Sequence, residues 1–218
     1  MGLSSGEAPN TIAGMAKYAA AFIEALGLKQ VDLLGFSLGG TVVQQLTLDR
    51  PDLVRRLILA GTGPGAGDGI QPPKPEVFQV AGKPVGGPED FLYLFFEQTE
   101  TSMAVGRAYL SRLEKREGPR EPVVKPETMK AQLSAIAAWG KGEGAAYPRL
   151  GEIKQPVLVA NGSNDIMIPT VNSFIMAQRL PNAQLIIYPD SGHGFLFQYA
   201  DLFVEHALLF LRQKGTQW

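Results

Sequence analysis

The sequence predicts an α/β fold, in which helices cover both faces of a parallel sheet. Short apolar runs with the length of buried strands alternate with segments of helical periodicity. This alternation favours parallel pairing, because each crossover helix packs back on the sheet. The predicted strands, in chain order, are residues 31–36, 54–60, 157–161 and 185–188.

Composition narrows the class of protein before any motif is considered. The 218 residues suit one ordinary domain with a single core, and the net charge of −1 speaks against a nucleic acid or an anionic membrane as partner. With no cysteine, disulfides and cysteine-ligated metals are excluded and a reducing compartment is compatible. Residues 1–10 lack the apolar core of a signal peptide, and no apolar run approaches transmembrane length. We therefore expect a cytoplasmic protein.

The first predicted strand runs into the sequence Gly-Phe-Ser-Leu-Gly at residues 35–39, a match to G-x-S-x-G. A helical pattern follows, so the motif has the strand before it and the helix after it that it needs. The turn lifts Ser37 onto an exposed tip. The backbone N–H of Leu38 opens the helix, where partial positive charge collects. Ser37 is thus a candidate nucleophile, and the Leu38 N–H a candidate oxyanion donor.

A serine hydroxyl needs a base that takes its proton, and the chain contains two histidines. His193 lies in a glycine-rich loop directly after the last predicted strand. His206 lies within a helical pattern, where a surface or half-buried structural role is expected. Loops carry functional residues disproportionately often. His193 is therefore the predicted base.

The histidine in turn needs a carboxylate that orients it. Asp165 ends the polar loop after the third predicted strand. Asp190 is the competitor, but it is too close in sequence to His193 to reach its ring comfortably. Asp32 lies inside a strand and is expected to serve structure. The loop after the second predicted strand has no carboxylate before Asp68. Asp165 is therefore ranked first.

The three candidates occur in the order Ser37, Asp165, His193, which together with the elbow motif is the order of α/β-hydrolases. The chain resembles this family over nearly its whole length. The resemblance implies an α/β-hydrolase-like parallel sheet and a serine hydrolase with a lid, of the small-ester or lactone branch or of the cofactor-free haloperoxidase-like branch. It implies no metal and no organic cofactor. The matching stretches are residues 32–40, 50–59, 162–169 and 191–194.

A segment between the second and third predicted strands resembles the lid of this family. A loop rich in glycine and proline, residues 61–88, precedes helical patterns at 89–97, 102–116 and 126–139. A minority of its aromatic side chains is expected to line the substrate pocket. The expected organisation is a core of residues 1–62 and 148–218 with a lid of residues 63–147.

Further helices are predicted at residues 11–26, 170–180 and 201–213. In the first of them, apolar residues recur at spacings of three and four, which predicts one buried face. The residues of this predicted face are Ile12, Met15, Ala19, Phe22 and Leu26.

The family usually places several strands and a His-Gly loop before its nucleophile, and Ser37 comes early by that standard. The resemblance therefore implies about four strands, with the N-terminal strands and one oxyanion donor missing. We expect a serine hydrolase of a small carboxylic ester or lactone whose turnover is impaired. The alternative is a non-catalytic truncated hydrolase or fragment that binds a ligand or partner. Strand 31–36 would lie at a sheet edge, which favours self-association.

Overall fold

The computed structural model describes residues 5–83, 86–115, 117–118 and 122–213. Its sheet contains β1 (Val31–Phe36), β2 (Val54–Ala60), β3 (Val157–Gly162) and β4 (Ala183–Tyr188). Neighbouring strands pair in parallel in the order β1-β2-β3-β4. The predicted α/β fold with a parallel sheet is confirmed.

Helices precede, connect and follow these strands. In chain order they are α1 (Ile12–Ala25), α2 (Leu38–Asp49), α3 (Pro75–Ala81), α4 (Pro88–Phe95), α5 (Glu100–Glu114), α6 (Pro126–Gly140), α7 (Thr170–Arg179), α8 (Phe195–Gln198) and α9 (Ala200–Arg212). The helical segment α3–α6 lies between β2 and β3, where the sequence places the insertion. The predicted helix end at Arg116 lies outside the described residues.

The sheet has one apolar core on each face, because side chains alternate along each strand. Leu57 and Leu59 of β2 point to the face covered by α1, α2 and α7. Ile58 and Ala60 point to the opposite face, which α8 and α9 cover. The strands thus form the middle layer of three.

Helix α1 buries a face that matches the one its sequence predicts only in part. Ile12 of the predicted face is buried and Met15 and Ala19 pack against the core, but Phe22 and Leu26 are exposed. Two apolar stripes at helical spacing run along this helix, and the spacing alone does not distinguish them. The buried stripe contains the small side chains that let α1 approach α2 closely. Its residues are Ile12, Ala16, Ala20 and Ile23.

Helix α3 lies inside the stretch 61–88 that the sequence predicts as a loop. Pro75 occupies the first turn of this helix, where its missing N–H costs nothing, and Val77 is buried. Proline therefore starts a helix here rather than preventing one. The glycines and prolines on either side are typical of a loop, so the sequence does not predict this short helix.

The turn that carries Ser37 depends on close contact between β1 and α2. A Cβ on Gly35 would lie 2.5 Å from the Gly39 carbonyl oxygen and 2.5 Å from the Val43 side chain. A Cβ on Gly40 would overlap the side chain of Thr62. A Cβ on Gly39, in contrast, would meet no atom within 4 Å. The two glycines of the motif therefore have different roles, and only Gly35 is required by packing.

We predict that Gly35→Ala lowers the free energy of unfolding by about 1–3 kcal/mol, because the new methyl group forces β1 and α2 apart. Gly39→Ala is the matched control. It should leave stability unchanged or raise it by up to about 1 kcal/mol, because alanine favours a helix. Urea denaturation of both variants measures the difference. Equal stability of the two variants would contradict the argument from packing.

Strand β1 is an edge of the sheet formed by the described residues, where it pairs with β2 alone. Leu34 pairs in register with Ile58, whose side chain lies under α9. Leu34 itself is 49% exposed. An edge strand with an exposed apolar side chain is a template for pairing with another chain.

Self-association through the β1 edge stays a prediction. The exposed edge is expected to cause either dimerisation or poor solubility. Light scattering over a concentration series should show an apparent mass that rises with concentration. Leu34→Lys should reduce this rise, because lysine on an edge strand opposes pairing. Ile187→Lys is the control, since Ile187 is 39% exposed on β4 at the opposite edge. A parent chain that stays monomeric at every concentration would rule the idea out.

Candidate active site

The three predicted site residues follow strands of one parallel sheet. Ser37 follows β1, Asp165 lies in the loop after β3, and His193 lies in the loop after β4. The carboxyl ends of parallel strands share one edge, where ligand sites of such sheets are found. The topology therefore places all three residues at the same end of the sheet.

Ser37 occupies a strained backbone position between β1 and α2. Its φ of 53° and ψ of −122° lie in a region that side chains rarely adopt. Two contacts hold this backbone conformation: the close packing of Gly35 below the turn, and a 3.0 Å hydrogen bond from the Ser37 N–H to the Ala60 carbonyl. Such positions persist only when the surrounding structure enforces them, and they cluster at functional sites.

Asp165 and His193 form a buried hydrogen-bonded pair. The Nδ1 atom of His193 lies 2.7 Å from Oδ2 of Asp165, and both side chains are almost wholly inaccessible. The other carboxylate oxygen, Oδ1, accepts hydrogen bonds of 2.8 Å from the N–H groups of Met167 and Ile168. A carboxylate only accepts, so Nδ1 carries the proton. In the neutral ring Nε2 then keeps its lone pair, and this buried atom has no partner among the described residues.

The ring of His193 lies beside the strand end that neighbours Ser37. Phe36 pairs with Ala60 in the sheet, so Ser37 and Gly61 are the next residues in register. A Cβ on Gly61 would lie 3.3 Å from the imidazole, and the ring centroids of Phe36 and His193 are 4.8 Å apart. Gly61, with a φ of 52°, thus leaves room for the histidine next to the serine.

Asp190, the competing carboxylate, points away from His193. It accepts hydrogen bonds from the hydroxyl groups of Thr99, at 2.6 Å, and Thr101. These bonds, that of Thr101 first, hold the pKa of Asp190 below its usual value. Asp190 therefore joins the inserted helices to the loop that carries His193.

The remaining candidates have structural partners. Asp32 forms an ion pair with Arg55 on the neighbouring strand. His206 is half-buried on α9, and its Nδ1 lies 2.8 Å from the hydroxyl of Tyr188. Burial raises the pKa of Tyr188 to about 12, so this hydroxyl stays protonated at neutral pH. Neither residue contacts the Asp165–His193 pair.

Aromatic rings pack around the buried histidine. Phe95, at the end of α4, meets the His193 ring edge-on at 5.3 Å. Phe197 lies 5.7 Å from Phe36 and stacks on Tyr109 at 4.8 Å. The aromatic run in the insertion indicated such a wall, but Phe36 and Phe197 lie outside that run. They are visible in the sequence only as neighbours of the elbow and of His193.

The described residues contain no group of three or more His, Cys, Asp or Glu side chains that could hold a metal ion. No helix in the described part of the chain is both long enough and apolar enough to cross a membrane.

Comparison with known proteins agrees with this fold. The family described as alpha/beta hydrolase fold matches residues 1–199. A poly(3-hydroxyalkanoate) depolymerase of Ectopseudomonas oleovorans is 30% identical over 98% of this chain and 72% of its own length. A 2-hydroxy-6-oxo-6-phenylhexa-2,4-dienoate hydrolase of Burkholderia cepacia is 28% identical over 87% of this chain. The chain spans 65% of the length of that second relative.

A solved structure leads to the same family. An alpha/beta hydrolase fold protein from Chitinophaga pinensis is 39% identical, superposes with a TM-score of 0.86, and covers 98% of this chain and 76% of its own. The sheet, the strained serine and these relationships define an α/β hydrolase as the class of protein. The chain belongs to the alpha/beta hydrolase fold family.

The strain at Ser37 gives a stability prediction that is independent of activity. The free energy of unfolding of Ser37→Gly should be about 1 kcal/mol higher than that of Ser37→Ala, because glycine adopts this φ and ψ without strain. Urea denaturation compares the two variants, both of which lack the hydroxyl. If Ser37→Ala is the more stable variant, the turn carries no strain of the kind described.

Proposed function

We propose that this chain is a serine hydrolase that cleaves a small carboxylic ester or lactone through an acyl-enzyme. The buried Asp165–His193 pair beside the strained Ser37 is the observation that carries the proposal. A pair oriented in this way leaves Nε2 as the basic atom, and a hydrogen-bonded carboxylate stabilises the imidazolium that forms. An ester is supported by the relative that depolymerises poly(3-hydroxyalkanoate), which is a polyester.

The reaction follows from the positions of these groups. The Ser37 hydroxyl attacks the carbonyl carbon while Nε2 of His193 takes its proton. Asp165 keeps the proton on Nδ1 and stabilises the positive charge. The N–H of Leu38, at the first position of α2, has no partner within the helix and donates to the oxyanion. His193 returns the proton to the leaving alcohol, and water attacks the acyl-enzyme by the same route.

The helical segment α3–α6 serves in this proposal as the lid over the serine. Phe95 brings it within ring contact of His193. The half-buried rings around Phe95 would hold the apolar part of an acyl or alcohol group. A core of residues 1–62 and 148–218 with a lid of residues 63–147 is the domain organisation that fits this role.

A second candidate is hydrolysis of a carbon–carbon bond in a 2-hydroxy-6-oxo-dienoate. The Burkholderia cepacia relative, 28% identical, is named for such a substrate. Aromatic rings beside His193 suit its phenyl group. Assaying this dienoate beside a short-chain aryl ester separates the two reactions.

A fluorophosphonate probe tests the proposed triad directly. It should label Ser37, and Ser37→Ala should abolish labelling. His193→Ala and Asp165→Asn should slow labelling by at least about 10³-fold, because the serine loses its activated base. His206→Ala is the matched control, since it removes the other histidine and should leave the rate unchanged.

Three results would contradict the proposal. Full labelling of His193→Ala, or its loss in His206→Ala, would mean that the base is another residue. No labelling of the parent chain, together with binding of the ester, would favour a protein that binds its ligand without turnover.

A further inference from the structure

The end of α4 and the segment that follows it contact the backbone on both sides of His193. The Phe95 carbonyl accepts a 2.6 Å hydrogen bond from the N–H of Gly194. A Cβ on Gly192 or on Gly194 would lie 3.0 or 2.9 Å from that same oxygen. Both neighbours of the histidine are therefore glycines because this carbonyl lies directly against the loop.

A second contact joins the start of α5 to the same loop. Asp190 has a φ of 45°, which is uncommon for a residue with a side chain. Its carboxylate accepts from Thr99, which caps α5, and from Thr101 in the first turn. Two hydroxyl groups thus hold a strained residue in place shortly before His193.

Gln198 closes the network on the far side of the histidine. Its Nε2 donates to the Asp190 carbonyl at 2.7 Å, and its Oε1 accepts from the Ser102 hydroxyl at 2.7 Å. Ser102 is fully buried and also accepts from the N–H of Glu97 at 3.0 Å. We call these five side chains the loop clamp: Thr99, Thr101, Ser102, Asp190 and Gln198.

The segment between α4 and α5 also contacts the loop that carries Asp165, through Glu97. The Asn164 amide donates to the Glu97 carboxylate, and the Asn164 N–H donates to the Ser191 carbonyl at 3.0 Å. The two loops that bring Asp165 and His193 together are therefore tied to each other and to the insertion.

The buried imidazole is held directly by Asp165 and by two aromatic rings. Its one hydrogen bond among the described residues goes to Asp165, and its Nε2 is unpartnered. The other contacts are ring contacts with Phe36 and Phe95. These contacts orient the ring, while the backbone of residues 190–194, which the clamp holds, sets where the ring lies among them.

We propose that the loop clamp positions His193 for proton transfer, with Asp190 as its central positioning residue. This inference rests on the proposed function in that His193 is taken as the base. It gives the insertion a role beyond covering the serine: the first turn of α5 keeps Nε2 directed at Ser37. Displacing that turn misplaces the base, and a displacement of about 1 Å in a reacting group can slow a reaction about 10²-fold.

Two variants remove the clamp from opposite sides in the full chain. Asp190→Gly accepts the positive φ but removes the carboxylate. Thr101→Val keeps the shape of an exposed side chain and removes only its hydroxyl. Each should slow fluorophosphonate labelling of Ser37 by about tenfold or more. The double variant should be no slower than the slower single one, because both changes break one interaction. Thr11→Val, which removes the hydroxyl that caps α1, is the control and should label at the parental rate.

A spectroscopic measurement separates positioning from loss of fold. With His206→Gln in all chains, His193 is the only histidine, so its Nδ1–H group gives the only imidazole signal in a proton–nitrogen-15 correlation spectrum. This signal should shift or broaden in both clamp variants and stay unchanged in Thr11→Val.

Parental labelling with an unchanged signal in either clamp variant would overturn the proposal. Slower labelling with an unchanged His193 signal would also overturn it, since the loss would then reflect general damage. If the parent chain is not labelled at all, the proposed function fails, and the His193 signal alone decides whether the clamp positions the ring.

Discussion

The close approach of β1 to α2 is the constraint on which the site depends. At Gly35 the strand and the helix leave no space for a methyl group, so the chain must reverse direction within one residue. That residue is Ser37, whose positive φ is the cost of the sharp reversal. The helix therefore begins directly behind the hydroxyl, and its unpaired N–H groups face the same side. One packing contact thus sets the exposure of the serine, the strain in its backbone and the donor beside it.

The parallel sheet extends this constraint to the other two loops. Each strand ends at the same edge, so the side chains that follow β1, β3 and β4 converge although they are distant in the chain. Burial then strengthens their interaction. The buried carboxylate of Asp165 accepts hydrogen bonds from two backbone N–H groups and one imidazole, so that both of its oxygens have partners. The histidine loop needs outside support, and the insertion supplies it.

The sequence predicts the strands well because their apolar runs are short, bounded and consistent with one topology. It also predicts the elbow, since the glycine before Ser37 and the helical pattern behind it agree with each other. The buried face of α1 is predicted only in part, because two stripes have the same period and only contact with α2 selects the alanines. Helix α3 was missed because its proline and the glycines around it resemble a loop.

Part of the site depends on long-range contacts that a local pattern does not encode. The position of Asp190 in the chain argues against it as the acid but says nothing of its partners. Those partners, Thr99 and Thr101, lie at the start of α5, about 90 residues earlier. Phe95 and Phe197 come together beside His193 in the same way. Such pairs become visible only when the insertion and the last loop are placed in space.

The insertion also has a consequence for the order of folding. Strands β1 and β2 are joined by residues 37–53 and strands β3 and β4 by residues 163–182, whereas residues 61–156 separate β2 from β3. Closing the longest of these connections costs about 1.5 kcal/mol more in chain entropy than closing the shortest. Each half of the sheet is thus a local βαβ unit, and the central pairing is the non-local one, which is expected to form last. Ser37 belongs to the first unit and the Asp165–His193 pair to the second, so the candidate site is assembled only when the two halves dock.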